Sequence, residues 1–451
     1  MTGKFLLIGW DAADWKLIHP LLDSGQLPHL AALVEGGVSG PLAGLNPPVS
    51  PLLWATLATG HTADRHGVLS DFQPDPFGGA PQPVSRQDWK RQPVWEILAA
   101  QGLTTEIINW PASHPAHLHD PELHLRPEEV YPEDLALLVP QLDRVTPGDQ
   151  PKMDQLAQLM SQTVTVHAIA TDRLMRGEWN FGAVAYGMIG QASSAFRAET
   201  PESPFGAVIA GAYRFLDLML GSLLQIAGEE ARVMLVSTHG SDAAYRPNGI
   251  LCLAGPELRQ DELLHGAGLL DIAPTILALH GMAASSEMPG RVLTEAFLTP
   301  PALPERVPSW EMPIETTTGG GNLEALDQLA ALGYQDSEPD DPATAAVRRQ
   351  QNYHLAQIHL ESNRAADALE LLDQAKGPDA GTPQLMALEL MRAYALLKLS
   401  RLNEAREVVD QLCARYPQAP EPLWALANLA LAQGARNQAL THLQKAEAIA
   451  P

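Results

Sequence analysis

Three short stretches hold residue types that could do chemistry together. IGWDAADW ends an apolar run on Asp11, LNPPVSPLLWATLATG sets Ser50 among prolines ahead of an apolar helical run, and LVSTHG ends another apolar run on Thr238 and His239. A carboxylate at the carboxyl end of a strand is well placed to hold a cation, although Asp in such a loop is also a common helix cap. A hydroxyl at a helix N-terminus lies in a field that favours a nucleophile and an incoming phosphate, although Ser is equally at home there as an N-cap. His239 has the chemistry of a metal ligand. A hydrolytic metal site calls for a carboxylate beside it, and the chain supplies Thr238.

The elements that must position these residues are readable as alternating patterns. Short apolar runs, KFLLIGW (4–10), TTEIINW (104–110), FGAVAYGMI (181–189), RVMLVST (232–238) and NGILCLAG (248–255), are separated by segments apolar at helical spacing such as FLDLMLGSLLQIAG (215–228). Strands alternating with helices predict an α/β fold, a mainly parallel sheet with helices on both faces. In such sheets the site lies at the carboxyl ends of the strands, where Asp11 and His239 fall.

The bulk properties bound the function classes. At 451 residues the chain predicts two or more folded units, and 45% hydrophobic content provides a sizeable core. A formal net charge of −24 argues against nucleic acid and against an anionic membrane surface as partners. Two cysteines, Cys252 and Cys413, form neither a disulfide framework nor a zinc–thiolate cluster and fit a reducing compartment. The start, MTGKFLLIGWD, is too short an apolar run for a signal peptide, and no stretch reaches roughly 18 uninterrupted apolar residues. The expectation is a cytoplasmic protein.

A second region follows a linker. Residues 301–348 are Pro-rich, then Gly-rich, then acidic, and separate a domain over 1–300 from a helical region over 349–451. In the latter, Ala368, Ala405 and Ala439 each lie twelve residues after Ala356, Ala393 and Ala427. An apolar residue follows four positions on, at Leu372, Val409 and Leu443, and Pro417 and Pro451 close the second and third units. A period near 34 with small residues at fixed places resembles tetratricopeptide repeats, which present a concave surface to a protein or peptide; an ordinary helical bundle is the alternative.

Taken together, GWDAADWKLIHPLLDSGQLPHLAALVEGGVSG, PPVSPLLWATLATG, INWPASHPA, VHAIAT, LVSTHG, RPNGILCLAGPELRQDELLHGAGLLDIAPTILALHGM and PGRVLTEAF closely resemble the alkaline phosphatase superfamily, in its type I phosphodiesterase/nucleotide pyrophosphatase-like branch. A fused tetratricopeptide region is a known pairing there. The resemblance implies two metal ions, usually zinc, flanking a phosphoryl group, with a Ser or Thr nucleophile and a covalent phospho-enzyme. Matched position by position, it makes Ser50 the nucleophile and retains Asp11 and His239 as metal ligands. The second carboxylate of that site falls on Thr238. The ligands of the second metal fall on Gly190, Ser194 and Tyr245, and an Asn that donates to the phosphoryl oxygen falls on Leu53.

Two divalent cations carry four positive charges, which the family opposes with three carboxylates; here Asp11 alone remains. Two-metal occupancy is therefore not expected, and the residual donors suit at most one zinc or manganese ion. Substitute donors exist in the sequence: Asp242, His61 and His66, and the run HPAHLHDPELH with His114, His117, His119, His124 and Asp120. His265 matches a family position read as structural. The favoured expectation is a phosphodiesterase-like scaffold with a degraded two-metal site, working through a protein or peptide partner of its repeats. The alternatives are an active metal-dependent phosphoric ester hydrolase using Ser50, or a protein that holds a phosphate-containing small molecule without turning it over.

Overall fold

The structure is a computed structural model that describes residues 3–75, 79–113, 130, 132–241, 248–302, 305–310, 342–377 and 383–450. The chain divides into two compact units, residues 1–68 with 85–315, and residues 69–84 with 316–451.

The first unit is built on a mixed sheet. Its strands are β1 (Phe5–Trp10), β2 (Gly37–Ala43), β5 (Thr105–Ile108), β6 (Phe181–Tyr186), β7 (Arg232–Val236), β8 (Gly249–Ala254), β9 (Glu262–Leu263) and β10 (Ala267–Gly268), in the order β10-β2-β8-β7-β1-β6-β5 with β9 beside β2. Strands β3 (Phe72–Gln73) and β4 (Gln82–Pro83) belong to the second unit. Four neighbouring strands, β5, β6, β1 and β7, run parallel, and β8 is antiparallel to both β7 and β2. β1, β6, β7 and β8 are buried along their whole length, which is why they appear in the sequence as unbroken apolar runs rather than as alternation. In register, Trp10 lies beside Tyr186 and Gly9 beside Val236, so the loops after β1, β6 and β7 emerge together.

Helices α1 (Trp15–Asp23), α2 (Pro28–Glu35), α3 (Ser50–Thr59), α4 (Ala63–His66), α5 (Val94–Ala100), α6 (Gln150–Arg176), α7 (Met188–Phe196), α8 (Val208–Ala227) and α9 (Ile272–Leu279) cover the sheet. α8 is long and apolar enough to cross a membrane, by length and composition. Its Ala212, Tyr213, Leu216, Leu220 and Leu223 are buried in the hydrophobic core. Its Asp217, also buried, accepts the backbone N–H groups of His29 (3.2 Å) and Leu30 (2.7 Å). Those donors are orphans of the first turn of α2, whose own N-cap residue, Leu27, makes no side-chain bond. Burial pushes the Asp217 carboxyl upward, opposed by the two backbone donors. Asp217→Ala strands both N–H groups and is expected to lower stability by about 2 kcal/mol, read from denaturant unfolding.

The second unit carries α10 (Pro342–Glu361), α11 (Ala365–Gln374), α12 (Pro383–Lys398), α13 (Leu402–Arg415), α14 (Glu421–Ala432) and α15 (Arg436–Ile449). α10 starts inside the stretch read from the sequence as linker, and residues 69–84 group with these helices. The six spaced alanines, Ala356, Ala368, Ala393, Ala405, Ala427 and Ala439, are all buried, as small residues between close-packed helices must be. Leu372 and Val409 are fully buried, whereas Leu443 is 44% exposed. The turns after α10, α12 and α14 each use a left-handed residue, Asn363, Ser400 and Gly434, at φ of 59°, 60° and 75°. Their spacing reproduces that of the alanines, and of the three only Ser400 is not a residue type that announces such a turn. Cys252 is buried, Cys413 is half-buried, and neither is in a disulfide.

Candidate active site

Asp11 follows β1 directly, and its backbone N–H donates to the Tyr186 carbonyl at the end of β6 (2.9 Å). Ser50 is the first residue of α3, whose N-cap is Val49 without a side-chain cap bond. Capping therefore does not account for Ser50. Its hydroxyl donates to Asp11 Oδ1 at 3.0 Å, and the indole Nε1–H of Trp54, one turn further on, donates to the same oxygen at 2.9 Å. Trp54 can reach because its ring lies on Gly9, where a Cβ would come within 2.6 Å of Cη2. The ring is braced edge-on by Trp110, which in turn meets Trp95.

His239 completes the group. Its Nδ1 lies 2.9 Å from the Gly240 carbonyl, which can only accept, so that nitrogen holds the hydrogen. Nε2 then faces Asp11 Oδ1 at 3.6 Å. In the neutral ring this sets a lone pair against a carboxylate, a gap that a proton or a cation would bridge. Ser237 fixes the loop by accepting from Ala13 N–H (3.1 Å) and donating to the His239 carbonyl (2.7 Å). Gly249 of β8 lets this loop lie close: a Cβ there would fall 1.8 Å from the Ser237 carbonyl oxygen. Asp11, Ser50 and His239 are thus brought together. Trp54, Ser237 and Gly9 complete the arrangement without a signal of their own. Trp54 lies inside the quoted motif, but its apolar helical setting points to the core.

The other described ligand positions, Gly190, Ser194 and Thr238, offer no charged donor. Gly190, in the first turns of α7, has no side chain, and a Cβ there would meet Asp11 Oδ2 at 2.7 Å. Ser194, one turn on, is exposed and opens on a surface hollow of about 360 Å³ with Gln155, Gln158 and Gln191. Thr238 is fully buried, and among the described residues its hydroxyl finds no hydrogen-bond partner. Leu53 is fully buried in α3 and offers no donor.

Two of the substitute donors are tied down elsewhere. His61 is buried past the far end of α3, its Nδ1–H donating to the Thr59 carbonyl (2.8 Å), about 15 Å along the helix from Ser50. His66 is buried against Thr56. His265 is exposed. His114, His117, His119, His124, Asp120, Asp242 and Tyr245 lie outside the described residues. Among the described residues, no group of three or more His, Cys, Asp or Glu side chains could hold a metal ion. Among the described residues, the side chains gathered at Asp11 are one carboxylate with an oxygen taken by two protein donors, one imidazole and one hydroxyl.

A mixed, mostly parallel sheet thus carries Asp11, Ser50 and His239 at the carboxyl ends of its strands. The family model for type I phosphodiesterase / nucleotide pyrophosphatase matches residues 5–275, and the chain belongs to that family. Members of this family are typically metal-dependent. No curated protein sequence matches the chain. Among solved structures it is similar to a 2-O GAG sulfatase (14% identity over 66% of this chain and 74% of that one, TM-score 0.46). It is also similar to murine ectonucleotide pyrophosphatase/phosphodiesterase 5, inactive and in complex with AMP (13%, 64% and 97%, TM-score 0.44), and to the human protein of that name (14%, 66% and 100%, TM-score 0.43).

Proposed function

We propose that this chain is a phosphodiesterase-family scaffold that has lost two-metal chemistry and works through interaction, with a protein or peptide partner held by its helical repeats. The observation that carries the reading is the state of Asp11. Its Oδ1 is occupied by Ser50 and Trp54, and Gly190 and buried Thr238 stand where further anionic donors would be needed. Ser50 spends its hydrogen on Asp11, the carboxylate that a metal would need. The alanine spacing and the left-handed turns at Asn363, Ser400 and Gly434 support reading the helical unit as tetratricopeptide repeats. Unpaired Cys252 and Cys413 suit a reducing, cytoplasmic setting.

A second reading rests on a different observation. The Nε2 of His239 faces Asp11 Oδ1 beside Ser50, which is an arrangement one zinc or manganese ion could occupy. That reading predicts a metal-dependent phosphoric ester hydrolase abolished in Ser50→Ala and Asp11→Ala. Metal analysis of the purified chain, with turnover of a nitrophenyl phosphodiester with and without zinc or manganese, separates the two. The scaffold reading expects well under one equivalent of metal and no turnover above the Ser50→Ala background. Two equivalents, or turnover lost in that variant, would overturn it.

A further inference from the structure

Helix α10 presents Thr344, Gln351 and His354 on one face, seven and ten residues apart along a 3.6-residue turn. All three side chains bind main-chain carbonyls of a segment far away in sequence. The Nδ1–H of His354 donates to the Leu69 carbonyl (2.6 Å). The amide of Gln351 donates to the Phe72 carbonyl (3.1 Å), to Gln73 Oε1 (2.8 Å) and to Ser70 Oγ (3.3 Å). The hydroxyl of Thr344 donates to the Gly79 carbonyl (3.4 Å). Thr344 and His354 are buried at 3% and 7% exposure.

The segment so held forms a small hairpin, with Phe72 opposite Pro83 and Gln73 opposite Gln82. Two strands of two residues, paired only with each other, are not stable alone in water. The dependence runs the other way as well. α10 is weakly amphipathic in sequence, and polar Thr344 and His354 can be buried on it because the carbonyls of the segment satisfy them. The three carbonyl contacts read extended backbone, much as a groove holds a peptide, and Gln351 adds side-chain contacts to Gln73 and Ser70.

We propose that this face of α10 is a docking surface for extended chain, filled in cis by Leu69–Asp75 and Gly79–Val84, which serve as the cap of the helical stack. The cap and α10 are separated by more than 250 residues and form and open together.

The test uses the full chain and amide hydrogen exchange. Replacing Ser70–Pro83 with a short Gly/Ser linker is expected to speed exchange in Pro342–Glu361 at least tenfold while leaving Phe5–Trp10 and Phe181–Tyr186 unchanged, which shows that the sheet stays folded. A synthetic peptide of residues 69–84 added to that variant is expected to restore the slow exchange. In the otherwise intact chain, H354A with Q351A is expected to speed exchange within 69–84. Unchanged α10 exchange in the linker variant, failure of the peptide to restore it, or unchanged exchange within 69–84 in the double variant would each overturn the proposal.

Discussion

Lowering the pH from 7 to 5 is expected to destabilise the sheet unit by about 2 kcal/mol through His66 alone, with a further loss of about 2 kcal/mol on going to pH 3. Burial pushes His66 down to about 3, helped by nearby His61 and opposed by Asp64. The hydrogen bonds explain why the ring stays neutral. Val68 N–H donates to Nδ1 (3.2 Å), so the single ring hydrogen sits on Nε2 and goes to Thr56 Oγ1 (2.9 Å). Thr56 passes its own hydrogen to the Leu52 carbonyl (3.0 Å). A second ring proton would have no acceptor and would face the Val68 donor.

The direction follows from proton counting. Below pH 6.5 the unfolded chain takes up a proton at His66, and the folded chain does not do so until about pH 3. Stability therefore falls as pH falls across that window, at about 1.4 kcal/mol per pH unit. His66→Gln removes the titration and keeps a donor toward Thr56. It should be less stable than the parent at pH 7 by about 1–2 kcal/mol and lose less on acidification, so the two urea midpoints converge near pH 5. Parallel pH profiles for parent and variant would show that the ring is protonated in the folded chain.

The legible and illegible parts of this fold have different physical origins. β1, β6, β7 and β8 were readable because strands buried on both faces must be apolar throughout. β2 was not: its sequence, GVSGPLA, is selected for closeness, since a Cβ at Gly40 would lie 2.0 Å from the Leu264 carbonyl oxygen. Within the site, Asp11, Ser50 and His239 were visible by chemistry and place in the pattern. Trp54 was hidden because an indole that donates to a carboxylate looks, in one dimension, like any core aromatic. Ser237 was hidden because its two partners, Ala13 and His239, lie on different loops. The hairpin over 69–84 was hidden for a third reason. Its stability comes from side chains on α10, and no local pattern records a contact made at that distance in sequence.

If the scaffold reading holds, Thr238→Asp is expected to make the stability of the chain respond to metal. Thr238 is fully buried, and a carboxylate placed there has no described donor to receive it and adds a charge next in sequence to His239. Without a cation the substitution should lower stability by about 3 kcal/mol, a fall on the order of 10 °C in Tm for a unit of this size. Zinc should reverse it, because the new carboxylate, Asp11 and His239 Nε2 then supply two anionic donors and one neutral donor around one ion. At a zinc concentration 100 times the dissociation constant the recovery is about 2.7 kcal/mol, nearly the whole loss. The parent chain, with Thr238, should show no zinc shift, and Asp11→Asn added to Thr238→Asp should abolish the recovery. A zinc shift already present in the parent would mean that the donors around Asp11 hold a cation as they stand. A variant that is destabilised yet deaf to zinc would mean that position 238 does not face the cation at all. The electrostatic argument rests on the contrast between these two chains. A neutral hydroxyl lets the buried loop fold without a metal, whereas a carboxylate in its place would make the metal a condition of folding.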